Sequence, residues 1–103
     1  MHATIRRYDG LDRNRTVELA GKVNESLVPQ LRKLEGFMGY YLIESGNGVI
    51  SSVGLFETAE QTDASAKLAA SWIRDEKLET AFPNPPTITS GNVVTHQNGV
   101  AVK

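Results

Sequence analysis

The chain predicts an α+β sandwich, with a four-stranded antiparallel sheet and two helices on one of its faces. Three observations lead there. Two apolar, β-rich runs, Phe37–Ile43 and Val49–Phe56, meet at the tight turn Glu44-Ser45-Gly46-Asn47-Gly48. A segment with helical periodicity precedes the first run and another follows the second. Strand-like runs open and close the chain, at Ala3–Tyr8 and at Ile88–His96. The resulting order, β-α-β-β-α-β, is that of the split βαβ or ferredoxin-like sandwich.

Ala3–Tyr8 mixes β-branched and aromatic residues before the turn Asp9-Gly10 and reads as a strand. Strand alternation places Thr4, Arg6 and Tyr8 on one face and Ala3, Ile5 and Arg7 on the other. Asp12 or Asn14 is placed to cap the helix that follows. There Val17, Ala20, Val23 or Asn24, Leu27, Leu31 and Leu34 recur at three- and four-residue steps, one apolar stripe reaching about Leu34. Glu18 and Lys22 form an i,i+4 pair on the polar side. Pro29 interrupts the pattern by removing a hydrogen bond, so the helix kinks near Val28 or a second turn starts at Pro29. Gly36 ends it in a left-handed conformation.

In the hairpin, Phe37 and Tyr41 are expected on one face and Tyr40 on the other. Neither hairpin strand alternates cleanly between apolar and polar residues, which indicates a sheet covered on both faces. Two helices cover one face only. The sheet of a second copy is the simplest cover for the other, so a homodimer is expected. Thr58-Ala59-Glu60-Gln61 is a capping box that opens the second helix. That helix is expected to run to about Leu78 or Ala81, with Thr62, Ala66, Ala69 and Ile73 along one side and Leu68 and Trp72 beside them. Pro83-Asn84-Pro85-Pro86 is a stiff connector into the last strand, Thr87–His96, and Gln97-Asn98-Gly99 turns out of it.

A chain of 103 residues is expected to be a single domain, 1–103. The net charge is -1 with acids and bases scattered, so no basic stripe exists to engage a phosphate backbone and nucleic acid is not expected as a partner. The absence of cysteine excludes disulfides, thiolate ligands and a cysteine nucleophile. No apolar signal region and no membrane-length run occur, which points to a cytoplasmic protein with no membrane partner. Two histidines without a matching carboxylate make no metal site.

The phrase Leu34-Glu35-Gly36-Phe37-Met38-Gly39-Tyr40-Tyr41, followed by a strand ending in Phe56-Glu57-Thr58 and a helix bearing Trp72, resembles the dimeric α/β-barrel superfamily. Within it the chain is similar to the antibiotic biosynthesis monooxygenase-like group, over roughly Ala3 to His96. The resemblance implies two ferredoxin-like subunits packed sheet against sheet into a dimeric α/β barrel, with a cavity in each between sheet and helices. Some members oxidise polycyclic aromatic compounds with molecular oxygen and no metal or flavin; others degrade haem. Haem-degrading relatives use an Asn on the first strand, a Trp on the second helix and a His about ten residues later. Trp72 matches the second, but Phe82 stands at the third position and Arg6 and Arg7 occupy the first strand. No cofactor is therefore expected. The resemblance implies a small aromatic ligand, and a non-catalytic ligand-binding or stress-associated dimer is the alternative.

Five residues are candidates to line the ligand site. Trp72 would wall an aromatic pocket or simply fill the core. Arg6 shares a face with Tyr8, and if that face looks inward it would hold a carboxylate or phenolate; otherwise it would pair with Glu44 or Glu57 on a neighbouring strand or lie on a solvated edge. Tyr41 would offer a hydroxyl, as would Tyr40 if the faces are reversed. Asn24 would supply the polar group that cofactor-free oxygenases place near the substrate ring, with Asn92 as another choice. His96 is the candidate base near neutral pH. No catalytic residue is assigned.

Overall fold

The computed structural model describes residues 1–97. Strands β1 (His2–Tyr8), β2 (Phe37–Gly46), β3 (Val49–Phe56) and β4 (Thr87–Asn92) form a four-stranded sheet in the order β2-β3-β1-β4, each neighbouring pair antiparallel. One face carries a helical rod made of α1 (Thr16–Lys22), a π-helical turn (Val23–Leu27) and α2 (Val28–Arg32), and beside it α3 (Ala59–Asp75). The α+β, ferredoxin-like order read from the sequence is the one observed. The turn expected around Asn98 and Gly99 lies outside the described residues.

Asn47 (φ 56) and Gly48 (φ 74) form the two-residue hairpin loop. Both positive angles suit a type I′ turn, which Asn-Gly supplies. Gly48 is needed for space as well, because a Cβ there would lie 2.3 Å from the Leu11 carbonyl oxygen.

The rod differs from expectation in its phase. Its buried residues are Thr16, Leu19, Val23, Leu27 and Leu31, while Val17 is 79% exposed. Four-residue steps from Leu19 to Leu31 drift around a 3.6-residue helix. The wider π-turn takes up that drift. It also absorbs the proline. The Val28 amide donates five residues back to Val23, so Pro29 falls in the first turn of α2, where a missing N–H is tolerated. Neither Asp12 nor Asn14 caps α1; the Asp12 carboxylate accepts from the Asn14 amide at 2.9 Å and shapes the preceding turn. Glu18 pairs with Arg15 at 3.3 Å rather than with Lys22.

The capping box of α3 is present. The Gln61 amide donates to Thr58 Oγ1 at 3.3 Å, and Gln61 Oε1 accepts from the Thr58 amide at 3.0 Å. The helix stops at Asp75, before Leu78, because Lys77 turns left-handed (φ 57). The Leu78 amide then donates to the Ile73 carbonyl at 2.8 Å and the Lys77 amide to Arg74 at 3.1 Å, which closes a Schellman motif. Strand β4 ends at Asn92 and not His96, because its partner runs out. Asn92 pairs with His2, the first residue of β1, and the Val93 amide takes the Met1 carbonyl at 2.9 Å.

A bulge sets which faces the β2 side chains take. Phe37 pairs with Phe56 and Gly39 with Leu55, leaving Met38 as an extra residue. One extra residue reverses the alternation. Tyr40 therefore shares the helix-side face with Phe37, and Tyr41 turns to the other face, 62% exposed. Phe37 meets the fully buried Phe56 edge-on, with ring centroids 5.7 Å apart. The face away from the helices carries Tyr41, Val53, Ile5 and Thr89 in one cross-strand row, with Ile43 and Leu55 flanking it. Ile5, Tyr41 and Ile43 are exposed there. Among the described residues no helix is long and apolar enough to cross a membrane.

Candidate functional site

A narrow hollow of about 30 Å³ lies where β1, β2 and β3 meet the rod and α3. Its polar wall is Arg6, Tyr8, Tyr40 and Ser52; Leu27 and Trp72 close part of its apolar side. Each polar group arrives by sheet geometry. Thr4, Arg6 and Tyr8 point inward by alternation, Ser52 faces Arg6 across the β1–β3 ladder, and the Met38 bulge turns Tyr40 in. Space of this size suits a water or a carboxylate-sized group and nothing as large as a ring system.

Arg6 is the unusual member. It is 5% exposed, and its Nε and Nη1 are buried without a hydrogen-bond partner. The ion pairs among the described residues are Arg7–Asp9 at 3.6 Å and Arg15–Glu18, so the pairing expected for Arg6 with Glu44 or Glu57 is not made. An unpaired buried cation is costly, because protein replaces its water without replacing the hydrogen bonds. The two phenols beside it do not offset its charge. Burial pushes Tyr8 above the ordinary value, against the pull of the Arg6 guanidinium. Burial also raises Tyr40, while Ser52 and Arg6 act in the opposite sense. Both phenols stay protonated at neutral pH.

Trp72 is 4% exposed: it packs in the core, and the space it borders is the small hollow, too narrow for an aromatic ring. Its indole N–H donates to Ser26 Oγ at 2.9 Å, on the π-turn, which ties α3 to the rod.

Two larger grooves lie beside the hollow and share wall residues with it. On the β2 side, Val23, Tyr40 and Leu42 are shared with a groove of about 420 Å³. On the β4 side, Arg6, Tyr8, Ile73 and Phe82 are shared with a groove of about 450 Å³ that continues past the proline connector to Ile88. The connector is held by Asn84, whose Nδ2 donates to Asp9 Oδ1 at 2.8 Å. Tyr8 and Phe82 meet edge-on at 5.0 Å.

Of the five candidates, Arg6 and Trp72 come together in the hollow. Asn24 is exposed on the π-turn and borders the β2-side groove. Tyr41 lies on the opposite sheet face, and His96 is exposed beyond the end of β4. Asn92 faces His2 Nδ1 at 3.2 Å. Tyr40 and Ser52 belong to the hollow in their place. That Arg6 and Tyr8 share a face was legible; that Tyr40 joins it depended on a bulge with no local signature.

Sheet order, helix placement and the hollow between them define a ferredoxin-like α+β protein with an interior site. No protein-family model matches the chain, and no curated protein matches it in sequence. Solved structures do match. A monooxygenase from Streptomyces coelicolor in complex with nanaomycin D is similar with TM-score 0.69 and 13% identity, over 99% of this chain and 92% of that one. The heme-degrader MhuD from Mycobacterium tuberculosis, with two hemes in its active site, gives TM-score 0.72 and 16% identity over 95% and 100%. A dimeric ferredoxin-like protein from an uncultured marine organism gives 0.70 and 16% over 96% and 92%. At these identities the likeness establishes the fold. Haem does not fit the residues present: no histidine lines the hollow or either groove, and Phe82 presents only a hydrocarbon ring.

Proposed function

We propose that this chain is a monooxygenase-like homodimer that takes a small aromatic compound between sheet and helices and oxidises it with molecular oxygen, without a cofactor. The observation that carries the reading is the buried Arg6 beside an apolar groove of about 450 Å³, large enough for a ring, in a fold shared with the nanaomycin D-bound monooxygenase. The chemistry needs no external reductant when the substrate is a phenol. One oxygen atom enters the ring, the other leaves as water, and the phenol-to-quinone conversion supplies all four electrons. The chain's part is to bind the ring, exclude bulk water and favour the electron-rich anion with the Arg6 cation. The homodimer rests on the exposed row of Ile5, Tyr41 and Ile43, which helices leave uncovered. A cytoplasmic location belongs to the same proposal.

One observation favours a second reading, ligand binding without turnover. Among the described residues no histidine or carboxylate lines the hollow, and burial holds its phenols protonated, so none of them offers a base to a substrate there. Oxygen uptake across a panel of quinols and polyphenols separates the two. Enzyme-dependent uptake with one quinone formed per oxygen consumed supports turnover. Uptake equal to the protein-free blank, with compounds that still raise the melting temperature, leaves the binding reading in its place.

A further inference from the structure

We propose that the hollow and the β4-side groove form one site for an aromatic monocarboxylate, with the carboxylate on the Arg6 guanidinium and the ring in the groove among Ile73, Phe82 and Ile88. The proposal rests on the reading of this region as a ligand site but not on turnover.

Arg6 supplies the first reason. Arg6 lines both spaces, and two of its guanidinium nitrogens, Nε and Nη1, are buried without partners. Nothing facing it from β1, β3, β4 or α3 is acidic, apart from Glu79 at the exposed outer end of the groove. The phenols of Tyr8 and Tyr40 stay neutral, as above, so the counter-charge has to arrive with a ligand. Planar, delocalised anions match the guanidinium fork best.

The number of cations limits the charge. Among the described residues no lysine and no second arginine lines the hollow or this groove, so a phosphate dianion finds too few donors. Glu79 at the mouth adds repulsion against a second negative group on the outer end of a ligand.

The body of the ligand follows from the walls. Inside the hollow, about 30 Å³ holds the carboxylate alone. Outside, about 450 Å³ lies within the range of small-molecule sites. Ala66 and Ala70, one turn apart on α3, leave the groove open, and Phe82, Pro85 and Ile88 give it flat apolar sides.

The test is calorimetric titration of the full chain with 2-naphthoate, its neutral alcohol 2-naphthalenemethanol, and 2-naphthyl phosphate. The acid is expected to bind about ten- to a hundredfold tighter than the alcohol, the range of a charge-assisted contact. Arg6→Gln is expected to bring the acid down to the alcohol's affinity and leave the alcohol unchanged. Ala66→Leu, which fills the groove and spares the charge, is expected to weaken both. Equal affinity for acid and alcohol, retention of acid binding in Arg6→Gln, or no heat with the acid up to millimolar concentration overturns the proposal. Tighter binding of the phosphate ester overturns the assignment of a carboxylate. Naphthoate lacks the hydroxyl that oxygenation needs, so its binding is independent of whether phenols are turned over.

Discussion

Arg6→Met should make the ligand-free protein more stable, although it removes a charged residue from the middle of the sheet. Arg6 is 5% exposed with Nε and Nη1 unsatisfied. Each buried unsatisfied donor costs about 1–3 kcal/mol, more when it belongs to a charged group. A water in the hollow recovers part of that cost. Methionine keeps the apolar stem that the arginine buries, and replacing buried ionic groups by apolar ones of similar volume is often stabilising by about 1–4 kcal/mol. A net gain of about 1–2 kcal/mol follows. For a domain of this size that corresponds to roughly 5–15 °C in melting temperature. Thermal unfolding followed by circular dichroism, with wild type and variant dialysed exhaustively, reads it directly. A melting temperature lowered by several degrees would refute the reasoning, because it would mean that the guanidinium already has favourable partners. Adding 2-naphthoate should then raise the wild-type transition by more than that of Arg6→Met.

Other outcomes follow from the same geometry. Wild-type chain should elute with twice 11.2 kDa by light scattering, and Ile5→Glu with Ile43→Glu should shift it to the monomer mass, since both residues lie exposed on the helix-free face; a wild-type monomer at micromolar concentration contradicts the dimer. Thr58→Ala should cost about 1 kcal/mol in chemical denaturation by removing the acceptor for the Gln61 amide, and an unchanged midpoint would mean that water replaces the cap. The two phenols should make stability decline as pH rises past 10.0, the ordinary phenol value. Tyr8 and Tyr40 have folded values above it, so the unfolded chain ionises first and gains from each further rise in pH. Tyr40→Phe should shrink that decline, and an identical alkaline limb in the variant would remove Tyr40 as its source.

Features written in short-range chemistry were legible in the sequence. Asn47-Gly48 dictates the hairpin, Thr58 and Gln61 cap α3, and alternation puts Arg6 and Tyr8 on one face. Features that depend on what another element does were not. The Met38 bulge carries no local signal, so Tyr41 was placed where Tyr40 belongs. The stripe on the first helix fits two phases, and only a π-turn compatible with Pro29 selects Leu19 over Val17. Thr95 and His96 have strand-forming neighbours, yet β4 stops where β1 begins, which a β-rich segment alone cannot reveal. Trp72 was read as walling an aromatic pocket or filling the core. The hollow there measures about 30 Å³, and the larger space lies one layer out, towards β4, formed by the small residues of α3 and the connector. That Arg6 lacks an acid is a property of the whole fold: parity sends it inward, but only assembly leaves Glu44 and Glu57 out of reach.

A crystal structure of the protein grown with 2-naphthoate tests the site most directly. The account predicts carboxylate oxygens about 3 Å from the Arg6 guanidinium nitrogens, with the ring against Phe82 and Ile88. A guanidinium satisfied by an acid of a second subunit, with the ring elsewhere or absent, would contradict it.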